Sequence, residues 1–519
     1  MPGIRIAVAG VALGSAMLFQ PTHAMPPPPP TVPTPVAPPA EFADYIAQVR
    51  LADAMPDEEA RCNAHPDLPG NQWLAGAAQG RCAMLRAPAL TLDKIDSLLA
   101  TPAGVAALES GFAGLLDAHY RDPAQRDQIF IAVRVFDKRP RAGEISQRWL
   151  QAAPESAFAK LAAGAHFAAA GWSERGTAVA SRTSPRQLER MHGYFAQAIP
   201  LLTQVLEIEP RLTPACTRLN AIGRQSSDAL ETFAATHCRK TDPDSYFVEG
   251  ELIRAAEPRW SGSHEALERA VAFAASRTEH NPALGVFLGD AAGYEASAAD
   301  SHGEVVQTLV AAANMGPNPT LLADAGSGYW DIRQHWLAVV YYSQALRFEP
   351  NDAWNRYARA GLMTDHFRDY DWARSDMRIA LQKEPDEPRF LLLMGDIARV
   401  TETSAAARDY YRRAMEGDSR GEAMLRYCQT FLTPMMPKEA DACTHDLVTE
   451  FANSASAWLT RARALAPHDA DAALAALEQV KVLADPQKSF DRRTVVRAQE
   501  LEEELKARST QTPVRPAGR

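Results

Sequence analysis

Residues 319–350 read PTLLADAGSGYWDIRQHWLAVVYYSQALRFEP, two runs of small and apolar side chains at helical spacing, parted by a polar turn and closed by proline. Leu322, Ala325, Gly326 and Tyr329 fall on one helical face, and Ala338, Tyr342 and Ala345 fall on a second before Pro350. The stretch predicts a helix-turn-helix unit. The unit recurs in phase. Gly326, Gly361 and Gly395 stand 35 and 34 residues apart, and Ala338, Ala373 and Ala407 keep the same intervals, as do Ala345, Ala380 and Ala414. The second unit carries Tyr357, Ala360, Ala373, Met377 and Pro385, with Thr364 where an aromatic is usual. The third carries Leu391, Met394, Ala398 and Tyr411, with Ser419 in place of the proline.

Small residues let the two helices of a hairpin approach closely, and the large ones fill the gap to the next hairpin. A helical period of about 34 residues with this arrangement of sizes is a repeat signature. Residues 319–420 therefore resemble the tetratricopeptide-repeat (TPR) family. The resemblance implies an α-solenoid whose function sits in a groove lined by the first helix of each hairpin. On that basis the candidate groove residues are Ser327, Trp330 and Asp331, then Asn355, Leu362 and Asp365, then Arg389, Asp396 and Arg399. The Lys/Asn pattern with which some members clamp a C-terminal carboxylate is missing, since Ala323, Ala358 and Leu392 stand at the matching places. A mixed acidic and apolar groove suits a peptide with some basic character. The alternative is a solvated face, or one covered by the protein's own flanking helices.

The flanks read as diverged hairpins. Ala198, Leu202 and Val205 before Pro210 mimic a second helix, Gly289 to Pro317 has room for another pair, and Trp458 to Pro486 holds two Ala-rich amphipathic runs. Roughly eight to twelve helices are expected after residue 190. The fold class is all-α: a non-repetitive helical domain at 41–245, diverged hairpins at 246–318, three TPR-like repeats at 319–420 and further diverged hairpins at 421–508.

Residues 1–24 join Arg5, an apolar run from Ile6 to Phe19 and Thr22-His23-Ala24, the pattern of a cleaved export signal. Translation from Met17 or Met25 would instead leave the protein cytoplasmic. Nine prolines follow between Pro26 and Pro39, making 25–40 a semi-rigid spacer. The polar, proline-containing residues 509–519 read as a disordered tail. Lys plus Arg against Asp plus Glu is 54 against 64, a net charge of −10, which argues against nucleic acid or anionic lipid as the main partner.

The six cysteines form local couples, Cys62 with Cys82, Cys216 with Cys238, and Cys428 with Cys443. With an export signal, an even count suggests three disulfides, nearest-neighbour pairing being preferred among the possible connectivities. Six buried thiols in a cytoplasmic chain is the alternative.

Before the repeats, Trp149, the run Ala153-Pro154-Glu155-Ser156, and Trp172 to Gly176 ahead of an amphipathic helix resemble an uncharacterised bacterial family often joined to TPR-like helices, over roughly residues 100–350. That resemblance implies no activity. Trp149, Trp172 and Arg175 are candidates for an anion or peptide pocket, or else for two core tryptophans and a helix cap.

No catalytic motif stands out. His264-Glu265 opens H-E-x-x-E, but Glu268 stands where a zinc-peptidase helix needs its second histidine. Gly326-Ser327-Gly328 is not a nucleophile elbow, and no phosphate-binding glycine loop occurs. Asp365, His366, Asp369 and Asp371 cluster at the second hairpin turn, where a polar loop is the plain reading and a cation site the sharp one. The expectation is a non-enzymatic, exported scaffold with no cofactor or metal and no membrane span in the mature chain, binding a protein or peptide of the cell envelope. A hydrolase or peptidoglycan-acting enzyme with its site in the N-terminal helices, and a self-associating structural protein, are the alternatives.

Overall fold

The computed structural model describes residues 32–176, 182–485 and 487–510. The expected leader, the proline-rich residues 25–31 and residues 511–519 lie outside them. Every regular element among the described residues is helical. Two compact units are present, one of Thr34–Met394 with Arg412–Ala423, the other of Gly395–Tyr411 with Met424 onward.

In the first unit the hairpins follow the sequence signals closely. Asn318 accepts hydrogen bonds from the Thr320 and Leu321 N–H groups and starts the helix Pro319–Asp331, whose first position is proline. Its partner, His335–Phe348, is buried along nearly its whole length. In the second hairpin Asp352 caps Ala353–Leu362, a π-turn at Met363–Phe367 follows, and Asp369 caps Tyr370–Lys383. Gly326 lies against the Tyr342 ring, so the aromatic occupies the space that a side chain on the facing helix would need. The pair expected between Gly289 and Pro317 is present as Asp290–Ser297 and His302–Met315.

Upstream, one continuous core runs from Leu90 to Leu252 and takes in Phe112, Phe136, Trp149, Phe195, Leu202 and Leu219. Ser184 and Gln187 form a capping box for Pro185–Ile208, the helix that carries Ala198, Leu202 and Val205 inward. A buried polar knot pins this core. His119 Nδ1 accepts from the Asp127 N–H at 2.8 Å, which leaves its Nε2–H to donate to Asp242 at 2.8 Å. Asp242 also accepts from Thr213, and Asp127 accepts from Ser245 and the Tyr246 N–H. Burial pushes the Asp127 carboxyl up to about 6.

The first helices among the described residues are Ala40–Asp53, Glu58–Ala64 and Ala77–Ala83, the last two joined by the Cys62–Cys82 disulfide. They pack on repeats nearly 300 residues downstream. Gln344 donates to the Tyr45 hydroxyl and to Pro66 O, and Arg347 donates to Cys62 O and Asp67. Arg359, wholly buried, donates to Asp53 at 2.7 Å, to Asp376 at 2.8 Å and to Ser343 at 3.0 Å. Burial opposes ionisation of Asp53, yet Arg359 and the His65 side chain hold its carboxyl well below the usual carboxylate range.

In the second unit Ala455–Leu465 and Ala470–Leu483, the two Ala-rich runs, close a core with Leu501 and Leu505 of the final helix Ser489–Thr510. The Cys428–Cys443 disulfide lies here, and Cys216–Cys238 lies in the first unit, so all three expected couples are paired. Seventeen α-helices begin after residue 190 among the described residues, more than the expected eight to twelve. The excess arises because the diverged regions are built of short helices, such as the eight residues of Asp290–Ser297.

Candidate functional site

The first helices of the first two hairpins carry most of the candidate groove residues, and each side chain has a distinct task. Ser327, half-buried, hydrogen-bonds Tyr342. Trp330 meets the Tyr342 ring edge-on at 6.5 Å and reaches Gly361, where an added Cβ would lie 3.4 Å from the indole. It fills the seam between hairpins while leaving part of its ring in solvent. Asp331 is exposed and accepts from the Gly303 N–H at 3.1 Å, capping the preceding helix. Asn355 is half-buried one turn into the second hairpin.

Leu362 does not line a surface. It is fully buried, and the helix leaves α geometry directly after it. A π-turn advances fewer degrees per residue, so the three-residue spacing that would place Leu362 and Asp365 on one α-helical face does not hold. Asp365 is exposed on that turn, beside His366, whose ring stacks on His335 at 3.7 Å. Asp369 caps the following helix and pairs with Arg50, so the polar cluster at this turn serves packing and capping. No three His, Cys, Asp or Glu side chains group as a metal site would require among the described residues.

Arg389 is exposed, and its guanidinium lies 4.0 Å from the Trp354 ring centre while its Nε donates to Glu387. Trp354 keeps 38% of its surface in solvent and packs on Phe390 at 4.8 Å, with Tyr357 beside both. Sequence reasoning passed over Trp354 and Tyr357 as surface groups. A signal existed: Trp354 stands in phase with Pro319 and Pro388, where a helix start needs no indole. Asp396 and Arg399 belong to the second compact unit. Asp396 accepts from the Tyr411 hydroxyl at 2.7 Å and pairs with Arg426, and Arg399 hydrogen-bonds Tyr411.

The N-terminal candidates separate. Trp149 has no exposed surface, donates to Glu109 at 2.7 Å and packs on Phe112 and Phe136. It is a core residue, placed there because its helix Pro140–Ala152 is strongly amphipathic and turns Ile145 and Trp149 inward together. Trp172 and Arg175 do meet, with the guanidinium 5.9 Å from the indole centre. Trp260 and Arg224 complete their cluster. Arg175 lies 5.6 Å and Arg224 5.2 Å from the Trp260 ring, and Arg224 donates to Glu251 at 2.5 Å. Trp260 sits on a one-turn helix at Pro258–Trp260, far from Trp172 in sequence, and nothing in the spacing signals the meeting.

Hairpins of two short helices stacked in phase, small residues at the crossings and aromatics between, define a TPR-like helical-repeat protein. No helix among the described residues is long and apolar enough to cross a membrane. No protein-family profile matches the chain, and no curated protein does. Solved structures to which it is similar include a tetratricopeptide repeat protein from Parabacteroides merdae, at 16% identity over 48% of this chain and 98% of that one, with a TM-score of 0.32. Yeast Tom70 is similar at 14% identity over 80% of this chain and 96% of that one, with a TM-score of 0.31. YrrB, described as a TPR protein with an unusual peptide-binding site, is similar at 16% identity over 38% of this chain and 99% of that one, with a TM-score of 0.29.

Proposed function

We propose that this chain is a non-catalytic scaffold, exported to the cell envelope, that binds a protein or peptide through the face bearing Trp354, Tyr357, Asn355, Trp330 and Arg389. One observation carries the reading: an exposed tryptophan held rigid by a stacked arginine and a buried phenylalanine. Trp, Tyr and Arg dominate binding energy at protein interfaces, and a side chain already fixed in place loses little entropy on binding. A second observation supports the choice of face. Elsewhere on the same hairpins, Gln344, Arg347 and Arg359 are buried against the chain's own residues 40–83 and are not free to bind.

Export is supported by the leader-like residues 1–24 and by three paired cysteine couples, a combination suited to an oxidising compartment. The periplasm is the compartment that fits both.

The test combines Trp354→Ala with Arg389→Glu. Cross-linking in the native envelope should recover a partner with the parent chain that the double variant loses, and the purified partner should bind the parent more tightly by at least about tenfold. Equal recovery by both chains overturns the face. The mass of the intact chain from its native cells, without reductant, should lack residues 1–24 and show no free thiol. A chain with an intact leader and reduced cysteines would sink the export reading.

A further inference from the structure

A second surface lies outside the repeats, on helices without the 34-residue phase. Helices Asp228–Thr241, Tyr246–Ala256 and His264–Ser276 form three sides of a cleft of about 470 Å³, which runs on past Arg239 into a neighbouring hollow of about 520 Å³. Both volumes fall in the range of pockets that hold small ligands or short peptide stretches. Its walls are small, with Ala235, Ala255 and Ala266 leaving open the space that larger side chains would fill. The Cys216–Cys238 disulfide braces the base by tying the helix Thr213–Ser226 to Asp228–Thr241.

One feature of the cleft is structural and one asks for a ligand. Asn220, wholly buried at its floor, donates its amide N–H to Glu231 O at 3.2 Å and leaves its carbonyl oxygen with no hydrogen-bond partner. An unpaired buried acceptor is costly, and this oxygen lies sealed beneath the cleft surface rather than open to it. The rim is cationic in a chain of net charge −10, with Arg239, Arg269 and Lys240 along it and Glu231 as the lining carboxylate. Arg239 is preorganised: it donates to the buried Glu249 at 2.8 Å and lies 4.4 Å from the Phe273 ring. Arg269 is exposed and pairs loosely with an exposed Glu265 one turn away at 3.7 Å.

We infer that this cleft receives an acidic peptide segment with small side chains, its carboxylates on Arg239 and Arg269. The site is a different surface from the Trp354–Arg389 face and stands without it. A negatively charged segment is favoured because a fixed guanidinium that already has one buried carboxylate beneath it still presents its outer edge to the cleft, and the two further cations have no buried counter-charge of their own.

The probe is a fluorescein-labelled peptide of alternating Ala and Glu, read by anisotropy on the full chain against Ala/Gln and Ala/Lys counterparts. The acidic peptide should bind, more weakly as salt rises, and the other two should not. Lys240→Glu with Arg269→Glu changes only exposed groups and should weaken binding by about tenfold or more. Ala266→Trp should fill the cleft and abolish binding, and unfolding curves verify that both variants keep the fold. If the tryptophan variant fails to fold, the charge variant decides. A C-terminally amidated acidic peptide should bind as tightly, because side-chain carboxylates make the contact; lost binding would assign the contact to the terminus and overturn the acidic-segment reading. Equal binding of the Gln peptide, undiminished affinity in the charge variant, or no binding of the acidic peptide overturns it. Loss of the envelope partner in the Trp354/Arg389 variant with this binding intact would show that the two surfaces act separately.

Discussion

Arg333 and Arg368 stand 35 residues apart at the turns of the first two hairpins, and both adopt left-handed backbone, at φ of 62° and 56°. A side chain there costs roughly 1–2 kcal/mol, whereas glycine is at home. Glycine also gives the unfolded chain more freedom, which takes back part of the gain. Arg333→Gly and Arg368→Gly should each stabilise the protein by about 0.5–1 kcal/mol in urea unfolding. Destabilisation would mean that the arginine side chains hold the turns. Asp290 offers a second test at this scale. Burial pushes its carboxyl up to about 7, with the Asn318 amide, 2.6 Å away, working against the rise. A carboxyl whose folded value exceeds its unfolded value near 3.9 binds its proton more tightly when folded. Its contribution to stability is therefore complete below about pH 4 and is lost as pH rises through about 7. Relative to the parent, Asp290→Asn should gain on the order of 2–3 kcal/mol between pH 5 and pH 8, because the neutral amide has no such loss. Parallel thermal unfolding of the two chains across that range checks it, and parallel curves would refute it.

At the scale of elements, the three glycines that mark the repeat are not equivalent. A Cβ at Gly395 would come within 2.4 Å of the Tyr411 ring, one at Gly326 within 3.2 Å of Tyr342, and one at Gly361 would rest 3.4 Å from Trp330. Helical Gly→Ala gains up to about 1 kcal/mol where space allows, and overpacking costs about 1–3 kcal/mol where it does not. Gly395→Ala should be clearly destabilising, Gly361→Ala neutral or stabilising, and Gly326→Ala between them. Measured denaturation midpoints in any other order would show that the crossings relax independently of these contacts. The glycine phase was legible because helix crossings constrain side-chain size at fixed spacing. Which glycine is crowded was not, since that depends on which ring faces it and how closely the two helices cross there. The π-turn at Met363–Phe367 was likewise invisible, and through it Leu362 turned from a groove candidate into a core residue.

At the scale of the first compact unit, the segment 40–83 is held on the repeats by several polar contacts, the most deeply buried of them at Arg359. Arg359 joins Asp53, Asp376 and Ser343 with no surface exposed, and Trp372 donates to Asp53 beside it. Removing one partner from a buried ionic cluster strands the others, at about 3–5 kcal/mol. Arg359→Met should lower stability by that order, and deuterium uptake in residues 40–53 should rise together with uptake in 370–383. Faster exchange in 370–383 alone would mean that the segment is held by its other contacts.

The helical class, the 34-residue phase and the preference for nearest-neighbour cysteine couples were legible in the sequence itself. Each depends on residue size, turn chemistry or spacing within a few tens of residues, where chain connectivity limits the alternatives. The burial of Gln344, Arg347 and Arg359 under residues 40–83, the meeting of Trp172 and Arg175 with Trp260, and the cleft beside Arg239 were decided only by the tertiary structure. These contacts join positions whose separation in the chain leaves no periodic trace. A buried arginine and an exposed one read alike until the carboxylate that neutralises it has been brought across the fold.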